Sequence, residues 1–301
     1  MDGTPHVNEE TEEANSSAPA ITANTIQRGA QTLPSPASVI RLLDAFFVHF
    51  HPFCPILEEA QVRSSLHDGS LSVVLLRCIL FVASIHCEMK LLQALGYSSR
   101  IEAEDSLFRK AKTSFDSDEE RDNLTLLFCS YLLHYWSGRP ASFKDSMWWL
   151  AGAIRCAQAL GMHRSMERSK APDDLRRSWR RIWWLLYIRD RQISISLGKP
   201  TLINDRDCDV ESLEEDDFPD VHQEIKAYVI EQARLSVAAS RIFALFSPGP
   251  GSRPTEAVDA KHILATIEDH FNEWYAHLEP SFVMESSKRC RLGLILHMTV
   301  K

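Results

Sequence analysis

WWLAGAIRCAQALGMHR (residues 148–164) and RRSWRRIWWLLYIRDRQISISLGKPTLINDRDCDV (residues 176–210) decide the fold of this chain. The pair reads as two amphipathic helices and a turn that carries an acidic tail. In the first helix Trp149, Gly152, Ala153, Cys156, Ala159 and Leu160 recur at three- and four-residue steps, which gathers them on one face. Most of that face is small, so another helix can approach closely. In the second, Leu175, Trp179, Ile182, Trp183, Leu186, Ile193 and Leu197 form a bulky stripe. Asp190 falls on the same stripe, where a bare carboxylate would be costly, so it should be buried and paired. The expected partner is Arg155, which interrupts the small-residue helix as Asp190 interrupts the bulky one. Packed antiparallel, the two helices would bring guanidinium and carboxylate into a two-point contact. Arg191, one residue away, should point elsewhere. Gly198 stops the helix and Pro200 prevents its resumption.

These residues carry a resemblance. The block resembles the middle homology region of fungal zinc-cluster transcription factors, the domain usually placed C-terminal to a Zn2Cys6 DNA-binding module. The matching residues are Trp149, Gly152, Ala153, Arg155, Gly161 and His163, then Arg180, Arg181, Trp183, Trp184, Tyr187, Asp190 and Arg191, and finally Gly198, Pro200, Asp205, Asp207 and Asp209. Lys199 stands where the family more often has Arg, and Arg206 interrupts the acidic run. FHPFCPIL at Phe50–Leu57 is similar to the family's entry motif. The resemblance runs from Ser38 to the C-terminus. It implies a nuclear protein, effector sensing or inhibitory control of an attached DNA-binding module, and contacts with other transcription regulators.

The 301 residues are 45% hydrophobic, enough for a buried core in one large domain or two intimate ones. A formal net charge of -8 leaves no excess positive charge to neutralise phosphates, so no direct DNA binding is expected from the chain. The N-terminus is charged and polar, unlike a signal peptide, and no apolar run reaches the ~18 residues of a membrane span. The seven cysteines, at 54, 78, 87, 129, 156, 208 and 290, include no C-x-x-C and nothing near the spacing of a binuclear zinc cluster. Most lie in apolar runs, where free cysteine acts as a small hydrophobe. Their odd number without a secretion signal argues for reduced thiols.

In order, residues 1–37 are rich in Thr, Ser, Ala, Glu and Pro and are expected to form a disordered tail; 38–301 should form one all-α regulatory domain, a large irregular helical bundle. Val39, Leu42, Leu43, Phe46, Phe47 and Phe50 keep one apolar face until His51-Pro52 ends the first helix. Phe53–Leu57 should run extended and plug the core. Leu71–Met89 and Ile101–Phe115 read as helices. Ser117-Asp118-Glu119-Glu120 reads as a capping box opening a helix over 119–136, broken by Gly138-Arg-Pro. Glu224–Phe246 and Thr255–Leu278 follow, separated by a Pro- and Gly-rich loop. The apolar pattern is unfinished at Met298–Lys301, as expected of a domain truncated at its C-terminus. No run alternates like a strand.

No residue is assigned a catalytic, cofactor-binding or metal-binding role, and no cofactor is expected. Asp216-Asp217-Phe218-Pro219-Asp220 fits DDxxD, which in all-α terpenoid synthases holds magnesium and diphosphate. The carboxylates would have to share one helix face. Pro219 opposes a helix, and Glu211–Asp217 reads as a solvated acidic run, so a chance match is the better reading. His86-Cys87-Glu88 lacks the C-x-x-C of zinc deaminases. His163, after Gly161, suits a helix end touching terminal carbonyls. Arg176, Arg177, Arg180 and Arg181 interleave with tryptophans, but rings that fill a core cannot stack on bases, so the arginines should pair with acids.

The sequence therefore reads as a non-enzymatic transcription-regulatory domain without its own DNA-binding module. The structural motif to locate is Arg155, Trp183, Trp184, Asp190, Gly198 and Pro200. The alternatives are a terpenoid-type enzyme using Asp216–Asp220 with magnesium, and a free-standing scaffold that binds other regulators. Any pocket for a small-molecule effector should lie among apolar helices, walled by aromatics of the Tyr131–Trp149 stretch and by Trp183.

Overall fold

The computed structural model describes residues 33–137, 143–246, 265, 266, 268, 269, 272–278 and 282. The expected tail up to residue 32, the Gly138-Arg-Pro break, the loop after Phe246, most of Thr255–Leu278 and the Met298–Lys301 end lie outside the described residues. Helices and turns make up the described chain, with no strand among those residues, as the periodicity requires.

Helix α1 (Pro36–His49) opens on Ser35, whose Oγ accepts from the Ser38 N–H, with proline in the first turn. Its apolar face, Val39, Leu42, Leu43, Phe46 and Phe47, is buried. A 3-10 turn (His51–Phe53) follows and takes in Phe53, which was expected to run extended; Cys54, Ile56 and Leu57 after it enter the core as the plug. Helix α2 (Glu59–Asp68) lies outside and ends on Gly69 at φ 76°. Helix α3 (Val73–His86) is the central rod, buried from Val74 through Ser84 except at Arg77. Its last carbonyls are capped from another element: Arg100 Nη1 donates to Ser84 O at 2.5 Å and Nη2 to Cys87 O at 2.6 Å.

Short α4 (Met89–Ala94) leads to α5 (Arg100–Phe115), capped by Ser99. Helix α6 (Asn123–Leu133) starts four residues later than the capping-box reading placed it. Asp118 takes φ 54°, which ends regular structure there, and Asp122 is the actual cap, accepting from Thr125 N–H at 2.8 Å. Helix α7 (Ser146–Leu160) and helix α8 (Asp173–Leu197) are the two organising segments, each closed by a left-handed glycine, Gly161 at φ 87° and Gly198 at φ 60°. Helix α9 (Gln223–Phe246) completes the described set.

Packing links these helices into a ring. Helix α3 packs on α1, α5 and α6; α6 packs on α7, α7 on α8, and α8 on α9. The 3-10 turn after α1 touches α9 and closes the circle. The small face of α7 does admit a close neighbour, but that neighbour is α6: a Cβ on Gly152 would sit 3.1 Å from Ser130 Oγ. Ala159, counted on that face, is exposed, as are Leu175 and Leu197 at the two ends of the α8 stripe. Four thiols, Cys54, Cys78, Cys87 and Cys129, are free and buried, as small hydrophobes should be. No helix among the described residues is long and apolar enough to cross a membrane.

Candidate functional site

Of the motif residues, Asp190, Gly198 and Pro200 meet in a polar knot at the end of α8. Gly198 reverses the chain, and the segment after Pro200 returns over the helix. There the Leu202 N–H donates to Asp190 Oδ1 at 2.9 Å and the Ile203 N–H to Oδ2 at 2.9 Å. Arg191 Nη1 donates to Asp190 Oδ2 at 2.6 Å, and its Nη2 to Asp205 Oδ1 at 2.5 Å. Arg191 Nε reaches Ser240 Oγ on α9 at 3.2 Å, and that hydroxyl donates to Asp205 Oδ2 at 2.6 Å. The guanidinium also lies 4.1 Å from the Tyr187 ring centroid. Asp190 and Arg191 are 0% and 1% exposed. Burial pushes the Asp190 carboxyl above its ordinary range, while the two backbone donors and Arg191 pull it back.

Asp190 is thus buried and paired, but its partner is Arg191. Arg155 is exposed on α7 and is not among the groups bonded to Asp190. The long Arg191 side chain folds back onto its neighbour because Asp205, brought in by the returning loop, offers a second carboxylate to the same guanidinium. Trp183 is buried, with the His163 ring 6.0 Å away, so His163 packs against indole instead of capping carbonyls. Trp184 is half-buried and donates its Nε1–H to Glu211 O at 2.7 Å.

The basic cluster is neutralised by acids. Arg176 pairs with Asp173, Arg181 reaches Glu58 at 2.7 Å and the Asp217 carbonyl at 2.8 Å, and Arg180 lies 3.4 Å from the Asp217 carboxylate. This changes the acidic run, which is not solvated throughout. Asp217 is 1% exposed and closes a capping box with Glu214 in a 3-10 turn (Glu215–Asp217). Asp216 and Asp220 face solvent while Asp217 turns inward, so DDxxD does not gather its carboxylates. No cluster of three or more His, Cys, Asp or Glu among the described residues could hold a metal.

A cavity of about 540 Å³ lies inside the ring, between the 3-10 turn, α3, α6, α8 and α9. Its walls include Phe50, Tyr131, Tyr135, Leu185, Tyr228 and Val229, and exposed Ser196 stands at its rim. Tyr131 and Tyr135 belong to the aromatic stretch that was expected to wall a pocket. Of the other rings of that stretch, half-buried Trp136 stacks on Phe108 at 4.0 Å, buried Trp149 meets Phe115 edge-on at 5.3 Å, and Phe143 is exposed. Trp183 does not border the cavity.

The cavity's polar groups form a chain. Cys54 Sγ–H donates to Tyr131 Oη at 3.0 Å, and Tyr131 Oη lies 3.5 Å from Tyr135 Oη. Arg189 lies 4.6 Å above the Tyr135 ring, and its Nε donates to His134 Nε2 at 2.6 Å. His134 Nδ1–H donates to the Tyr131 carbonyl, which fixes the neutral tautomer. Arg189 Nη1 donates to Gln192 Oε1 at 3.3 Å, and Gln192 Nε2 to Gln232 Oε1 at 3.1 Å. Burial, reinforced by the Arg189 charge, holds His134 well below the usual histidine range. Burial also pushes the Cys54 thiol up to about 12 and Tyr228 up to about 12. Sequence reasoning passed over Arg189, Gln192 and Gln232, since three polar residues on otherwise apolar helices look like solvent-facing positions until the ring closes.

The profile of the fungal specific transcription factor domain matches residues 43–276, more than half of the chain. Among relatives, the chain is 33% identical over 196 residues to cutinase transcription factor 1 beta of Fusarium vanettenii, covering 64% of this chain and 22% of that protein. It is 36% identical over 221 residues to the acetamidase regulatory protein of Aspergillus fumigatus, covering 71% of this chain and 28% of that one. A fusaric acid cluster transcription factor of Gibberella moniliformis is 32% identical over 158 residues, 52% of this chain and 23% of its own length. The chain spans between 22% and 28% of the length of the first relatives. No solved structure matches it. With its all-α ring and the Asp190–Arg191 knot built from the motif residues, the chain belongs to the fungal specific transcription factor domain family.

Proposed function

We propose that the chain is an effector-responsive regulatory domain acting in a nuclear transcription regulator, and that it does so without catalysing a reaction. The observation that carries the effector reading is the cavity of about 540 Å³ bordered by five elements, a size ordinary for a small-molecule site. A ligand there would touch α8 and α9 together, and the knot at Asp190, Arg191 and Ser240 ties the same two helices. Occupancy would favour one arrangement of the pair over another, which is what a ligand-driven population shift requires. Contacts with other transcription regulators, and with a DNA-binding module, are the outputs such a shift would control. Support for a non-catalytic cavity comes from its titratable groups. Cys54 stays protonated at neutral pH, and both His134 nitrogens are already engaged, so neither of these two groups supplies a thiolate or a free base.

The test is a thermal-shift screen of the purified chain against a library of metabolites, run beside Gln192→Trp, which puts an indole into the cavity from α8. Compounds that raise the parent's melting temperature and leave the variant's unchanged support the reading. A library with no hit, or hits that shift both proteins equally, overturns it.

A further inference from the structure

We propose that the cavity takes a monoanionic ligand, a small organic carboxylate with an apolar or aromatic body, and that Arg189 is its anchor. The inference rests on the effector reading above and gives that site a ligand class.

The argument starts from charge. Arg189 is the fixed cation of the cavity wall, and none of the groups bordering the space is Asp or Glu. Both buried arginines of α8 have acids: Arg181 has Glu58, and Arg191 has Asp190 and Asp205. Arg189 forms no ion pair with any described carboxylate; its partners are the neutral His134 and Gln192 and the face of Tyr135. A half-buried guanidinium without a counter-charge is an expensive arrangement unless something else supplies the negative charge. Nη2, one edge of its fork, has no hydrogen-bond partner among the described residues.

A second, independent observation points the same way. Gln232 borders the cavity, is 2% exposed, and its Nε2 closes no hydrogen bond of good geometry, although the amide interacts with the Tyr228 hydroxyl. Its Oε1 is occupied by Gln192 Nε2, which fixes the amide and leaves Nε2 short of a well-formed bond. Buried donors are nearly always satisfied. An amide donor short of a good acceptor and an open guanidinium edge bordering one space are two donors that suit an acceptor with two oxygens and a negative charge. A carboxylate is that acceptor, and the bidentate geometry of arginine suits it better than it suits a single carbonyl.

The rest of the wall sets the body. Phe50, Leu185, Ile188, Val229 and the rings of Tyr135 and Tyr228 offer apolar surface, and the tyrosine hydroxyls stay protonated because burial raises both. Among the described residues Arg189 is the one arginine or lysine bordering the space, with His86 at an exposed position of the wall, and His134 behind Arg189 is held neutral by burial and by Arg189 itself. One charge and an apolar remainder describe a monocarboxylate, and a cation would meet Arg189 with nothing to offset it.

The experiment is calorimetric titration of the purified chain at neutral pH with matched pairs: hydrocinnamate against hydrocinnamamide, and naphthoate against naphthamide, with phenethylammonium as the cation. Each carboxylate should bind about tenfold or more tightly than its amide, a difference of about 1.4 kcal/mol, and the cation should bind least. Two variants locate the preference. Arg189→Met should bring acid and amide to within about twofold of each other. Gln192→Glu, which sets a carboxylate beside Arg189 from a half-buried position and leaves the His134 contact in place, should remove acid binding and retain amide binding. Amides that bind as well as their acids, a preference for the cation, or an acid preference that survives Gln192→Glu would overturn the carboxylate assignment while leaving an effector cavity standing. A panel in which no member binds would overturn both.

Discussion

At the scale of single residues, the central object is Asp190. Its place on an apolar stripe predicted burial, because a helix of period 3.6 puts it beside Trp183 and Leu186. Its partners were not legible. Two of them are backbone N–H groups of Leu202 and Ile203, which reach it only after Gly198 has reversed the chain, and the third is its own neighbour. Asp190→Ala removes the acceptor from a buried arginine and two buried donors together. The expected cost is about 3–5 kcal/mol, read by urea denaturation, and a variant as stable as the parent would refute the role.

His134 sets a second expectation at this scale. Its folded value lies well below the ordinary 6.5, from burial first and Arg189 second. The unfolded chain therefore takes up a proton at His134 before the folded one does. Below about 6.5 the unfolded state binds more protons, so stability is full above that pH and declines as pH falls toward the folded value. His51, also lowered by burial, acts in the same direction, whereas Asp190 and Asp217, raised by burial, act the opposite way in the acid range. Replacing His134 with Gln isolates its share. Denaturation midpoints at pH about 7.5 and about 5.5 should differ less in the variant than in the parent, and an unchanged difference would count against it.

At the scale of elements, periodicity located the helices well and their neighbours poorly. The small face of α7 announced a close approach, and Gly152 makes one, yet with α6 instead of α8. Local pattern states how near a partner can come and is silent on which partner arrives. The start of α6 shows another limit. Two capping signatures stand five residues apart, and the left-handed backbone at Asp118 decides between them. Gly152→Leu should force α6 and α7 apart and destabilise by about 1–3 kcal/mol. The same change at Cys156, half-buried on the same helix, should cost less; equal losses would mean that the Ser130 contact is not what limits the site.

At the scale of the whole molecule, the all-α class and the family followed from motifs, but the ring did not. Its closure depends on the 3-10 turn after α1 meeting α9, more than 150 residues later in sequence. The cavity exists only through that closure. For this reason Tyr131 and Tyr135 could be singled out as candidate walls, while Arg189 and Gln232, which give the cavity its chemistry, could not. The most direct measurement is reporter output from the chain fused to an unrelated DNA-binding module, with a cavity-binding compound titrated in, for the parent and for Gln192→Trp at matched protein levels. The predicted result is output that changes with the compound in the parent and stays constant in the variant. Output that follows the compound equally in both, or in neither, would contradict control through this cavity.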